Sequence, residues 1–219
     1  MVYFGKDSKV EVGDVVRQIP PFSIKYKDVF SLQNLYVLMH ELLLEENWLG
    51  FDGEDADLKS HADLEALYSE NVFQKAIHVG GKEYWVWWRA QKQMEDRTSR
   101  YFVNVLDIDW HAVGVQPMEV VHQGKKMKVV HAELEMIFNA RIISDIGHKW
   151  QNHKLLRHFK RIYEDRIMQP FIEKREKELW REVYRLQSKA KSFLNLRTWA
   201  PPGGTFHPKT YGWEAPEQV

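Results

Sequence analysis

The sequence predicts an α+β fold: an antiparallel sheet of about five or six strands, with an amphipathic helix before it and a long helix after it. Three observations carry this reading. Apolar residues repeat at helical spacing in SLQNLYVLMHELLLEENW, alternate with period two through most of residues 72–142, and return to helical spacing from about Lys149 to Asn195.

Residues 1–21 read as a lead-in, with a short strand expected at Lys9–Val12. Pro20 and Pro21 cannot donate backbone hydrogen bonds and mark a break. In FSIKYKDV, Phe22, Ile24 and Tyr26 alternate with Ser23, Lys25 and Lys27, the period of a half-buried strand. Ser31 caps the first helix, whose apolar face is Leu32, Leu35, Tyr36, Met39, Leu42 and Leu43. GFDGEDADLKS is a Gly- and Asp-rich loop, and HADLEALYSE reads as one or two further helical turns. From Val72 the period becomes two. Gly80-Gly81 is the expected hairpin turn, since paired glycines supply positive φ. Further turns are expected near Gln116-Pro117 and at Gly124–Lys126. The longest alternation follows, with Lys128, Val130, Ala132, Leu134, Met136, Phe138, Ala140 and Ile142 on one face. Ala, Leu, Glu and Met in this run also favour helix, but sustained alternation decides for a strand.

Two apolar stripes mark the helical end: Leu155, Leu156, Phe159, Ile162, Tyr163, Ile167, Phe171 and Ile172, then Leu179, Val183, Leu186, Ala190 and Phe193. Pro170 must kink this helix or open a second one. The charged stretch EKREKE is expected to project into water. Residues 22–196 form one domain in this reading. Residues 197–219 form an extended arm rich in Pro and Gly that carries Trp199, Phe206, Tyr211 and Trp213, aromatics suited to pockets on another surface.

Composition bounds the function. The chain has 219 residues, 31 basic and 31 acidic, and no cysteine. A neutral balance argues against nucleic acid as a partner. Lack of cysteine excludes disulfides and thiolate metal sites and fits a reducing compartment. No apolar run approaches the roughly 18–20 residues that span a bilayer. The first residues lack the basic and apolar regions of a secretory signal. The expected setting is cytoplasmic or intracellular, for a chain of cellular or viral origin. Neutrality hides an asymmetry. Glu41 to Glu70 holds ten acids and one lysine; His148 to Arg197 holds fourteen basic residues against six acidic ones. These are either two solvated faces of opposite sign or complementary surfaces of different chains.

KEYWVWWRAQ concentrates the aromatic surface. On a strand, Tyr84, Val86 and Trp88 face one way and Trp85 and Trp87 the other. A strand apolar on both sides needs cover on both sides. Trp85 and Trp87 either pack on the domain's own sheet or belong to a partner surface.

Catalytic signals are sparse. DIDWH places Asp107, Asp109 and His111 on one strand face, the best polar constellation in the chain: two carboxylates and an imidazole suit acid–base work or metal binding, or form a solvent-facing strip. HELLLE lacks the second histidine of a zinc-protease helix. DGEDAD lacks the sixth-position glycine of a calcium loop. His148, His153 and His158, five apart, diverge by ~140° on a helix and share no face. Neither a metal nor a cofactor is expected.

The order of elements from Phe22 to Phe193, strand, helix, antiparallel hairpins, long terminal helix, resembles the helix-grip superfamily of START and Bet v 1-like domains. The interruption at Pro170 and the following arm depart from that pattern. The resemblance implies a ligand cavity between Val130, Leu134, Met136 and Phe138 on the sheet and Leu155, Phe159 and Ile162 on the helix, holding a lipid or another hydrophobic molecule. The sequence thus points first to a non-enzymatic structural or interaction protein, self-associating or built into a larger assembly through aromatic anchors at Trp85, Trp87, Trp199, Phe206, Tyr211 and Trp213. A carrier of a hydrophobic ligand is the alternative.

Overall fold

The alternation of residues 128–142 folds into the longest pairing in the molecule, between strands β7 (Phe102–His122) and β8 (Lys125–Ser144). The computed structural model describes residues 13–51, 60–61, 64–75, 78–93, 101–122, 125–145 and 148–196. Before β7 come β1 (Asp14–Gln18), β2 (Phe22–Phe30), helix α1 (Leu32–Glu45), β3 (Leu49–Phe51), β4 (Ser60–His61), β5 (Glu65–Lys75) and β6 (His78–Gln93). After β8 come α2 (Leu156–Ile162), a π-helical turn (Tyr163–Ile167) and α3 (Gln169–Phe193).

Among the described residues these eight strands form one antiparallel sheet. Its spine is β8–β7–β6. β1 and β2 share the free edge of β8, and β5 and β3 share that of β6. Pro20 and Pro21 explain the split edge: they cannot donate to the ladder, yet Ile19 N–H still reaches Ala140 O at 2.9 Å. β1 therefore belongs to the sheet, and the lead-in boundary expected at residue 21 falls within its edge. The strand expected at Lys9–Val12 and the arm from residue 197 lie outside the described residues.

Helices α1 and α3 cover one face. In α1, Ser31 Oγ accepts from Asn34 N–H, and Leu35, Met39 and Leu43 are buried at intervals of four. In α3, Ile172, Leu179, Val183, Leu186 and Ala190 are buried. They meet the sheet residues whose alternation pointed inward: Val86, Trp88 and Ala90; Leu106, Ile108, Trp110 and Ala112; Leu134, Met136, Phe138 and Ala140. Trp88 Nε1 donates to Tyr36 Oη at 3.1 Å, so the buried indole keeps its partner. Phe22 stacks on Phe138 at 5.1 Å and on Tyr184 of α3 at 5.4 Å, which ties the edge strand to the helix.

Several local expectations need correction. The helical turns expected in HADLEALYSE are replaced by a strand from Glu65, which pairs with β6 from Glu65 opposite Trp88 to Lys75 opposite His78. Pairing with a tryptophan-rich strand outweighs the helix propensity of Ala, Leu and Glu. Gly80 and Gly81 lie inside β6, not at its turn. Gly81, at φ +98°, instead serves a bulge on β6, where Val79 to Lys82 lies opposite the shorter step from Val72 to Gln74 on β5. The turn near Gln116-Pro117 is absent as well. β7 runs through, because Gly114 at φ +66° absorbs the irregularity as a bulge between Val113 and Gln116. Pro117 faces Val130 beyond the stretch of β7 that pairs with β6, where its missing donor costs no ladder bond. The turn expected at Gly124–Lys126 is also corrected: Lys125 and Lys126 already pair in β8, opposite His122 and Val121, and Gly124 lies outside the described residues.

The helical end is broken twice. Asp145 and His148 take positive φ, and Asp145 accepts from the N–H groups of Trp150 and Gln151, so residues 148–155 turn before α2 begins. Pro170 opens α3 in its first turn. Ahead of it, Met168 N–H bonds to Tyr163 O at 2.8 Å, five residues back, the mark of a π turn.

Candidate interaction surfaces

The outer face of the sheet, opposite the helices, carries Trp85 and Trp87. Cross-strand register builds it in rows. One row runs Leu67, Trp87, Asp109, Ile137, Ser23; the next runs Ser69, Trp85, His111, Glu135, Lys25. Leu67 and Ile137 are exposed, Trp85 and Trp87 half-buried. Beyond the bulge at Gly114, β7 changes parity, so Met118 opposite Val129 and Val120 opposite Met127 extend the same face onto a two-stranded ribbon.

Asp107, Asp109 and His111 do share this face, but each is committed to a neighbour. Asp107 pairs with Arg141 at 2.5 Å, and Arg89 sits 3.8 Å from it. Arg89 also holds Asp109 at 2.7 Å. Burial pushes the Asp109 carboxyl up, more than the adjoining Arg89 guanidinium draws it down. His111 Nε2 donates to Glu83 at 2.7 Å, and its ring stacks on Trp85 with centroids 3.7 Å apart. Arg89 in turn lies 5.5 Å over Trp87. The arrangement neutralises charge. Lys25–Glu135 and Lys27–Glu133 do the same at the β2 edge. Among the described residues no group of three or more His, Cys, Asp or Glu could hold a metal ion.

No family model, no curated protein and no solved structure matches this chain.

The second surface is the short helical segment of α2 and the π turn. No residue in either is buried. Its attachment to the body is polar. Tyr101 Oη and Ser144 Oγ both donate to Glu164 Oε1, at 2.7 and 2.6 Å. Lys160 donates to Asp145 at 2.9 Å and also to Asp14. Burial would raise the Asp145 carboxyl, but the Trp150 N–H, Lys160 and the Gln151 N–H outweigh it and hold its pKa below the usual range. Burial would lower the Lys160 ammonium, yet its bonds to Asp14 and Asp145 hold it above the usual lysine range. Tyr101 is pushed up by burial and by Glu164. Around these pins Tyr101, Trp150 and Tyr163 form a ring cluster with centroids 4.8–5.2 Å apart.

The apolar side of the segment faces solvent. Leu155, Phe159 and Ile162 are 68%, 59% and 50% exposed, and Ile167 is 63% exposed. Leu134, Met136 and Phe138, in contrast, are buried against α1 and α3, with Val130 half-buried near the edge. The two sets read from the sequence as facing walls of a cavity are thus not brought together. Trp199, Phe206, Tyr211 and Trp213 lie outside the described residues.

Arg89, Arg141 and Glu83 were not singled out by sequence, because only the register of three strands reveals them as partners of the DIDWH cluster. The outward turn of α2 had one signal: its apolar residues are interspersed with Lys154, Arg157, Lys160 and Arg161, and no acid appears from His148 until Glu164.

Proposed function

We propose that the chain is a non-enzymatic interaction protein, a subunit of an assembly in which copies of the chain meet through the outer face of the sheet. One observation carries the reading: this face presents Leu67, Trp85, Trp87, Ile137, Met118 and Met127 while the charges around them are paired within the chain. A neutral apolar face packs against its own copy without like-charge repulsion. Its extent is also suitable. From the Trp87 row to the ribbon tip it covers roughly 600 Å² at normal strand spacing and rise, near the ~800 Å² per partner of a stable interface. The aromatics Trp199, Phe206, Tyr211 and Trp213 are available as further anchors.

Sedimentation velocity on two variants tests this. Ile137→Glu places a charge in the Trp87 row of the face, and truncation after Arg197 removes the aromatic arm. Both should lower the assembled mass while far-UV circular dichroism stays unchanged. Unchanged sedimentation of both variants would refute the proposal.

A further inference from the structure

We infer that α2 and the π turn form a docking element for an anionic phospholipid surface, a second contact distinct from the sheet face. The starting point is an inverted helix. An amphipathic helix on a water-soluble body ordinarily turns its apolar side inward. Here Lys160, Tyr163 and Glu164 face the body, and Leu155, Phe159 and Ile162 face out. The π turn extends the stripe: its wider i→i+5 bonding brings Ile167 nearer the line of Ile162 than an α-helical turn would.

Charge selects the partner. Arg157 and Arg166 are exposed beside the stripe, as are Lys149 and Lys154. The two acids of the segment are occupied, Glu164 by Tyr101 and Ser144, and Asp165 by Arg161 at 3.4 Å. A second copy of the chain brought against this stripe would meet like charge, so the element does not suit self-association. An anionic surface would meet opposite charge. Between an acidic protein and a lipid headgroup layer, the shape favours lipid. The apolar side chains protrude from a convex helix, and a fluid interface takes up protruding groups without a matching pocket. Basic residues flanking such groups add electrostatic attraction to anionic headgroups. No described helix is long and apolar enough to cross a membrane, so the contact is a surface one.

The test is flotation of the full-length protein with vesicles of phosphatidylcholine alone and of phosphatidylcholine mixed with phosphatidylserine. The protein should float with the mixed vesicles and not with phosphatidylcholine alone, and added salt should release it. Phe159→Ser, and separately the pair Arg157→Glu and Arg161→Glu, should each weaken binding by roughly tenfold or more. These positions are exposed, so folding should survive, and the assembled mass should match the unaltered chain. That separates this inference from the sheet-face proposal. Failure to float with the mixed vesicles overturns it, as does equal flotation with both vesicle types or flotation unaffected by either variant. Capture by polyglutamate without vesicle binding would assign the element to an acidic protein instead.

Discussion

Phe159 and Lys160 are neighbours in sequence and have exchanged the places their chemistry usually gives them. The Phe159 ring is 59% exposed, and the Lys160 side chain is only 13% exposed. The lysine enters a site made by two carboxylates, Asp14 on β1 and Asp145 after β8, and so fixes which side of α2 faces the body. Hydrogen-bonded charge sets the orientation of this helix, and apolar surface is left over for other use.

Exchanging the two roles by mutation should therefore give opposite results. Lys160→Met leaves the buried Asp145 carboxylate its two backbone donors but no cation, and should cost roughly 1.5–3 kcal/mol, the worth of a hydrogen bond between charged groups. Phe159→Ser touches an exposed side chain and should stay within about ±0.5 kcal/mol. Urea unfolding of the two variants checks this, and hydrogen exchange should report loosening across residues 148–168 in the first alone.

The same ion cluster predicts a pH window. The Asp145 carboxyl is held below its unfolded value of about 3.9, so its contribution is present above that value and is lost as pH falls through the lower folded value. Lys160 is held above its unfolded value of about 10.4. Its contribution is present below that pH and is lost as pH rises through the higher folded value. The stability difference between the unaltered chain and Lys160→Met should be flat between these limits and shrink beyond each. A difference that varied steeply around neutral pH would point to another group.

Gly81 and Gly114 should respond unequally to alanine. A Cβ on Gly81 would lie 2.9 Å from the carbonyl carbon of Gly114, on a backbone at φ +98°. A Cβ on Gly114 would meet nothing within 4 Å, so only its φ of +66° is penalised. Gly81→Ala should cost more than Gly114→Ala, whose strain alone is about 1–2 kcal/mol. Thermal unfolding ranks the two directly.

Gln91 is buried, and neither polar atom of its side chain has a hydrogen-bond partner among the described residues. Replacing such a group by an apolar one of similar shape is neutral or stabilising. Gln91→Met should raise the unfolding free energy by up to about 2 kcal/mol, read from urea denaturation. A clear loss would show that the amide is satisfied.

The α+β class and the inward face of β8 were legible because burial imposes period two over many residues. The faces of KEYWVWWRAQ were legible for the same reason: Trp88 is in the core, and Trp85 and Trp87 are on the other side. The glycines misled because positive φ serves bulges as well as hairpin turns. Gly81 and Gly114 carry bulges inside strands, so β6 and β7 run past the expected turns. HADLEALYSE misled because helix propensity is local, while its pairing with Trp87 and Trp88 is not. The DIDWH strip was legible as one face, but its neutralisation by Arg89 and Arg141 depends on register across three strands. The stripe read from Leu155 to Ile172 is split: Leu155, Phe159, Ile162 and Ile167 are exposed, Tyr163 joins the rings of Tyr101 and Trp150, and Ile172 is buried on α3. Which way its exposed part faces was decided by Lys160, Asp14 and Asp145, residues far apart in sequence.

Native mass spectrometry of the untagged, full-length protein at micromolar concentration tests the central claim most directly. The sheet-face account predicts a mass at an integer multiple of 26.1 kDa, falling to that of one chain in the Ile137→Glu variant. A single bare chain at every concentration would contradict it.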